Sequence, residues 1–96
     1  MTTKLDTATA YVPSPDAIES RMGEETVILH IVSGTYFGLD AVGTEVWDQL
    51  GQAGGQSPAD VCTHVRATFA GAPDSVESEV TGFLEQLAEH DLIQQA

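Results

Sequence analysis

The stretch from Arg21 to Leu50, RMGEETVILHIVSGTYFGLDAVGTEVWDQL, leaves this chain few folds to choose from. Thr26 to Val32 is a run rich in β-branched and apolar residues. In an extended chain Val27, Leu29 and Ile31 share one face while Thr26, Ile28, His30 and Val32 share the other. Ser33-Gly34 supplies turn chemistry, so the short run Thr35-Tyr36-Phe37 must return antiparallel beside the first strand. Leu39-Asp40 ends that strand. Asp40 is a good N-cap, and Val42, Val46, Trp47 and Leu50 then fall on one helical face. Trp47 belongs in the core, because an aromatic at helical spacing with aliphatic residues packs inward.

The flanking segments complete an α+β reading. Residues 1–14, polar and ending at Pro13 and Pro15, read as a flexible arm, and residues 15–96 as one domain. Ala17 to Met22 alternates weakly and stops at Gly23, which predicts a first strand. Gly51, Gly54 and Gly55 mark a flexible connection after the first helix. Ser57 caps a second helix with Pro58 in its first position and Asp60 in its positive first turn, and Val61, Cys62, Val65 and Phe69 line the buried face. Gly71 stops that helix. Asp74 with Glu77 resembles a capping box for a third, whose apolar positions Val76, Val80, Phe83, Leu84 and Leu87 keep helical spacing. Leu92-Ile93 should tuck back onto the core. The prediction is a three-stranded antiparallel sheet followed by three helices, and 96 residues suffice for one core without metal or disulfide.

Charge narrows the function. Three basic residues, Lys4, Arg21 and Arg66, face fifteen acidic ones, for a formal net charge of −12. Such a chain repels phosphate backbones and anionic headgroups, which bind through cationic neutralisation, so neither nucleic acid nor membrane is an expected partner. One cysteine forms no internal disulfide. Residues 1–11 lack the basic and apolar regions of a signal peptide, and no apolar run approaches a membrane span, so a cytoplasmic location is expected.

Catalysis is not expected either. His30, His64 and His90 are scattered, and Cys62-x-His64 lacks the spacing that puts two metal ligands on one helical face. Cys62 reads as a buried, inert thiol, since a nucleophilic thiolate needs a cationic setting that this acidic chain offers only through Arg66 and His64. The glycines do not have the order of a phosphate loop. We therefore expect no enzyme, no cofactor and no metal.

The residues Gly23-Glu24-Glu25-Thr26-Val27, Ser33-Gly34-x-Tyr36-Phe37-Gly38-Leu39 and Val42-Gly43-x-x-Val46-Trp47, with Leu50, resemble the PqqD-like family. Phe83-Leu84-x-x-Leu87 and Leu92-Ile93 continue the pattern, so the resemblance covers Asp16 to Ile93. These are winged helix-turn-helix domains known as RiPP recognition elements, which bind the leader peptides of ribosomally made precursors. His30 stands where the family often has an acidic residue, and Asp40 where it often has asparagine.

The fold reading and the resemblance meet at the third strand. A short strand at the edge of a three-stranded sheet leaves backbone donors and acceptors unpaired, and a partner's strand can add to it while a neighbouring groove selects alternate side chains. The resemblance implies that the leader adds at Gly34, Thr35, Tyr36, Phe37, Gly38 and Leu39 and lies against the last helix, at Val76, Glu77, Glu79, Val80, Phe83, Leu84 and Leu87. Helical angles put Glu77, Thr81 and Leu84 on one margin of that helix and Glu79 with Phe83 on the other, and either margin could face the strand. Tyr36 and Leu39 could equally be core. Gly82 either permits a close backbone approach or is neutral. The implied role is an adaptor that presents the leader to a leader peptidase or another modifying enzyme, as in lasso-peptide pathways, with a PqqD-type chaperone for a radical maturase as the alternative. A winged-helix transcription regulator is opposed by the charge. The expected state is a monomer, with a dimer as the other possibility.

Overall fold

Gly23, at φ 66°, turns the chain between β2 (Ala17–Met22) and β3 (Glu25–His30), where a side chain would be strained. Our computed structural model describes residues 5–6, 8–52, 54–69, 71 and 75–96. The turn sets the register, with Met22 opposite Glu25 and Ala17 opposite His30. β4 (Thr35–Leu39) then returns along β3, with Leu39 opposite Thr26 and Thr35 opposite His30. The sheet has the order β2-β3-β4, as expected, so β4 lies at an edge. His30 shapes the second turn. Its Nδ1 accepts from the Ser33 backbone N–H at 3.2 Å, a bond that a carboxylate at this position could also accept.

One face of the sheet carries Thr26, Ile28 and Leu39 inward, while Val27, Leu29 and Tyr36 take the other face. α1 (Ala41–Leu50) packs on this inner face, α2 (Pro58–Thr68) packs against α1, and α3 (Val76–Glu89) packs against α2. In α1 the Asp40 side chain accepts from the Gly43 N–H at 2.8 Å. In α2 Ser57 accepts from the Asp60 N–H at 3.2 Å. Both caps agree with the sequence. The third helix, α3, has Ser75 as N-cap without a side-chain cap bond. The capping box expected of Asp74 with Glu77 lies partly outside the described residues, since Asp74 is not among them, and Glu77 pairs with Arg66 of α2 at 2.9 Å. Ile28, Val46, Trp47, Leu50, Val61, Val65, Leu84, Leu87 and Leu92 form the core. Fully burying one such aliphatic side chain stabilises the fold by about 1.5–3 kcal/mol. The Thr44 hydroxyl donates to that of Thr26 at 3.0 Å, so the two buried polar groups joining α1 to β3 satisfy each other.

The structure differs from the expected flexible arm before residue 15. Within it, β1 (Tyr11–Pro13) pairs antiparallel with β5 (Ile93–Gln95), adding a two-stranded sheet to the expected three strands. Tyr11 is buried, and its backbone exchanges bonds with Gln56 at 2.9 and 3.1 Å. The reason is tertiary: β5 and the α1–α2 connection supply backbone partners for a segment too short to show an alternation of its own. Residues 1–4 lie outside the described part. Leu92 and Ile93 do tuck onto the core. Among the described residues no helix is long and apolar enough to cross a membrane.

Candidate functional site

In an antiparallel ladder alternate residues turn their backbone groups toward a given neighbour. Met22 and Glu25 flank a two-residue turn and are therefore a hydrogen-bonded pair, so Thr26, Ile28 and His30 bond toward β4 through Leu39, Phe37 and Thr35. The N–H and C=O groups of Tyr36 and Gly38 must then point outward from the sheet. Among the described residues no strand neighbours this edge.

Beside the edge lies a groove of about 550 Å³. Phe37, Gly38, Leu39 and Asp40 form one wall, Val42, Gly43 and Val46 of α1 the floor, and Val76, Glu79, Val80, Phe83, Gln86 and Leu87 of α3 the opposite wall. Val76, Val80 and Leu87 are buried and act as core and lining at once. Gly43 keeps the floor open. A Cβ there would stand 3.3 Å from Asp40 Oδ1 and 3.5 Å from Phe83 Cζ. Apolar side chains line most of the cavity, and Asp40 and Glu79 are its carboxylates.

Of the residues singled out in the sequence, the structure brings together Phe37, Gly38, Leu39, Val76, Glu79, Val80, Phe83 and Leu87. It thereby decides between the margins of α3, since Glu79 and Phe83 face β4. Glu77 and Thr81 turn toward α2, lining a smaller groove with Cys62 and Arg66. Leu84, at 1% exposure, belongs to the core and does not open into the groove, because its angle on α3 points at the helix layer. Tyr36, at 68% exposure, is not core and lies on the outer face, while Leu39 is buried. Gly34 and Thr35 sit in and after the turn, away from the cavity. Sequence reasoning missed Asp40, Val42, Gly43, Val46 and Gln86. For Gly43 a signal existed, since a glycine inside an amphipathic helix often marks a close approach.

The titratable groups elsewhere are held structurally. His64 Nε2 lies 2.6 Å from Glu45 Oε1, joining α2 to α1. Burial pushes the Cys62 thiol up, with Glu77 adding to the effect, which keeps it protonated and poorly nucleophilic. Both described cations, Arg21 and Arg66, are already paired with carboxylates.

A sheet edge left open beside a helix-lined cleft defines the class to which this fold belongs. The chain is a member of the family of Coenzyme PQQ synthesis protein D (PqqD), which matches over residues 25–93. Among solved structures it is similar to TbiB1 in complex with the TbiA(beta) leader peptide, at 31% identity and a TM-score of 0.75, over 86% of this chain and 94% of that one. It also shares its fold with lasso peptide synthetase B1 complexed with the leader peptide, at 19% identity and a TM-score of 0.73, over 88% and 98% of the two chains. No curated protein matches the chain.

Proposed function

We propose that this protein is a non-catalytic recognition element that captures the leader of a ribosomally made precursor peptide and presents it to a separate leader peptidase or modifying enzyme. The observation that carries this reading is the open edge of β4 beside the apolar groove. A guest strand bonded to the Tyr36 and Gly38 backbone gains affinity without a sequence requirement. Its side chains level with Phe37 and Leu39 enter the cleft against α3, and the intervening ones face outward. The fold then acts as a winged helix-turn-helix turned to peptide capture, which suits its acidic charge better than DNA. The likeness to TbiB1, whose structure contains a leader peptide, supports a leader peptide as the client, and the resemblance read in the sequence makes a lasso-type precursor the one proposed.

Titrating the labelled protein with the leader of the precursor encoded beside its gene tests this by amide chemical shifts. Perturbation should concentrate on Thr35 to Leu39 and on Val76 to Leu87. Shifts confined to α2 would refute the reading. Reconstitution with the partner peptidase completes the test: precursor cleavage should need both proteins, and turnover by this chain alone would overturn the adaptor role.

A further inference from the structure

The sheet has a second open edge, and its residues complement themselves. Among the described residues β2 pairs only with β3, and all of Ile18 to Met22 is exposed, while α1 packs on β3 and β4. Since Met22, Ser20 and Ile18 bond toward β3, the backbone groups of Glu19 and Arg21 point outward. The Ala17 N–H, which points the same way, is taken by the Ser14 carbonyl at 3.1 Å, so the available edge is short and centred on Ser20. Ile18 and Met22, 53% and 64% exposed, lie on the outer face at equal distances from that centre, while Glu19 and Arg21 flank it on the other face.

We propose that a second copy of this chain occupies this edge, with β2 pairing antiparallel to β2 about a two-fold axis at Ser20. In that register Glu19 bonds opposite Arg21 of the second copy, Arg21 opposite Glu19, and Ile18 opposite Met22. Every backbone group left open at the centre of β2 finds a partner. Opposite charges and apolar pairs directly across strands are the favourable combinations. Arg21 holds Asp48 at 2.6 Å and Glu19 at 3.4 Å within its own chain, so the Glu19 of the second copy would join an existing cluster of charges. Charged residues commonly guard a strand edge, but the two that flank Ser20 are of opposite sign, so about this two-fold they attract each other. The dimer sheet runs β4-β3-β2-β2-β3-β4, so both β4 edges stay open at its ends. The inference goes beyond peptide capture and does not depend on it.

The test uses charge reversal at about 0.15 M salt, where screening shortens the repulsion between two acidic chains to about 8 Å. The whole protein should sediment as a dimer at high concentration. Arg21→Glu alone and Glu19→Arg alone should each be folded monomers, because each places like charges opposite one another. Their equimolar mixture should form a heterodimer with complementary pairs, although both chains remain net acidic. A mixture that stays monomeric, single variants that dimerise as well as the parent, or a parent that is monomeric throughout would overturn the proposal. A measurement on the unaltered chain guards against misfolded variants. In a mixture of differently labelled copies, an intermolecular Overhauser contact should join the Ile18 and Met22 methyl groups. Within one strand these lie about 13 Å apart, too far for such a contact, so its absence at high concentration would refute the pairing.

Discussion

The imidazole of His90 rests against the ring of Phe37, centroid to centroid 4.6 Å and tilted by 50°, tying the C-terminal cap of α3 to the middle of the edge strand. This contact sets the spacing between the two walls of the groove at one end. His90→Ala should cost no more than about 1 kcal/mol of stability, because the pair is partly exposed. It should weaken leader binding severalfold by freeing the Phe37 ring. Urea unfolding and calorimetric titration measure the two effects separately, and unchanged affinity would show that the contact does not shape the groove.

Gly38 offers a cleaner test of strand addition than any change to a side chain. Its N–H points away from β3, and a Cβ at this position would meet nothing within 4 Å. Gly38→Pro should therefore leave the fold intact while removing an outward donor, and proline is tolerated at an edge. Losing that bond and crowding the guest strand should cut leader affinity at least about tenfold, equivalent to about 1.4 kcal/mol. A folded variant with full affinity would place the peptide elsewhere.

Glu79 faces the groove within a chain of net charge −12. A leader carrying Lys or Arg should associate faster at low salt, as the screening length grows from about 8 Å at physiological strength to about 30 Å at 0.01 M. Stopped-flow rates at the two salt concentrations check this. A rate that rises with salt would contradict electrostatic steering.

Gly82 lies in the interior of α3, exposed, with open space where a Cβ would stand. No close approach requires it, which answers the question the sequence left open. Gly82→Ala should stabilise the protein by about 1 kcal/mol, read from the urea midpoint, and leave leader affinity unchanged.

The Cys62 thiol titrates above its ordinary range because burial disfavours the thiolate. Since the thiolate is the species that reacts, alkylation of the folded protein near neutral pH should be much slower than in urea and should accelerate only at alkaline pH. Cys62→Ser should leave leader binding and precursor processing intact. Rapid labelling of the folded chain at neutral pH would contradict the burial argument.

Local chemistry in the sequence was enough to determine the β2-β3-β4 sheet, the caps at Asp40 and Ser57, and the edge position of β4. Each depends on residues a few positions apart: a glycine at positive φ, a side chain that reaches its own helix, an alternation of period two. The groove itself was only half legible. Helical angles separated the two margins of α3, but which margin met β4 depended on how α2 packs beside α3, with Arg66 drawing Glu77 to the far side. Leu84, expected in the groove, lies in the core for the same reason, since periodicity tells which residues share a face and packing tells what that face meets. The strand at Tyr11–Pro13 forms because β5, whose residues pair with it across 80 to 84 positions of sequence, returns beside it. Its hydrogen bonds are long-range, and no local pattern announces a partner that only the folded chain supplies.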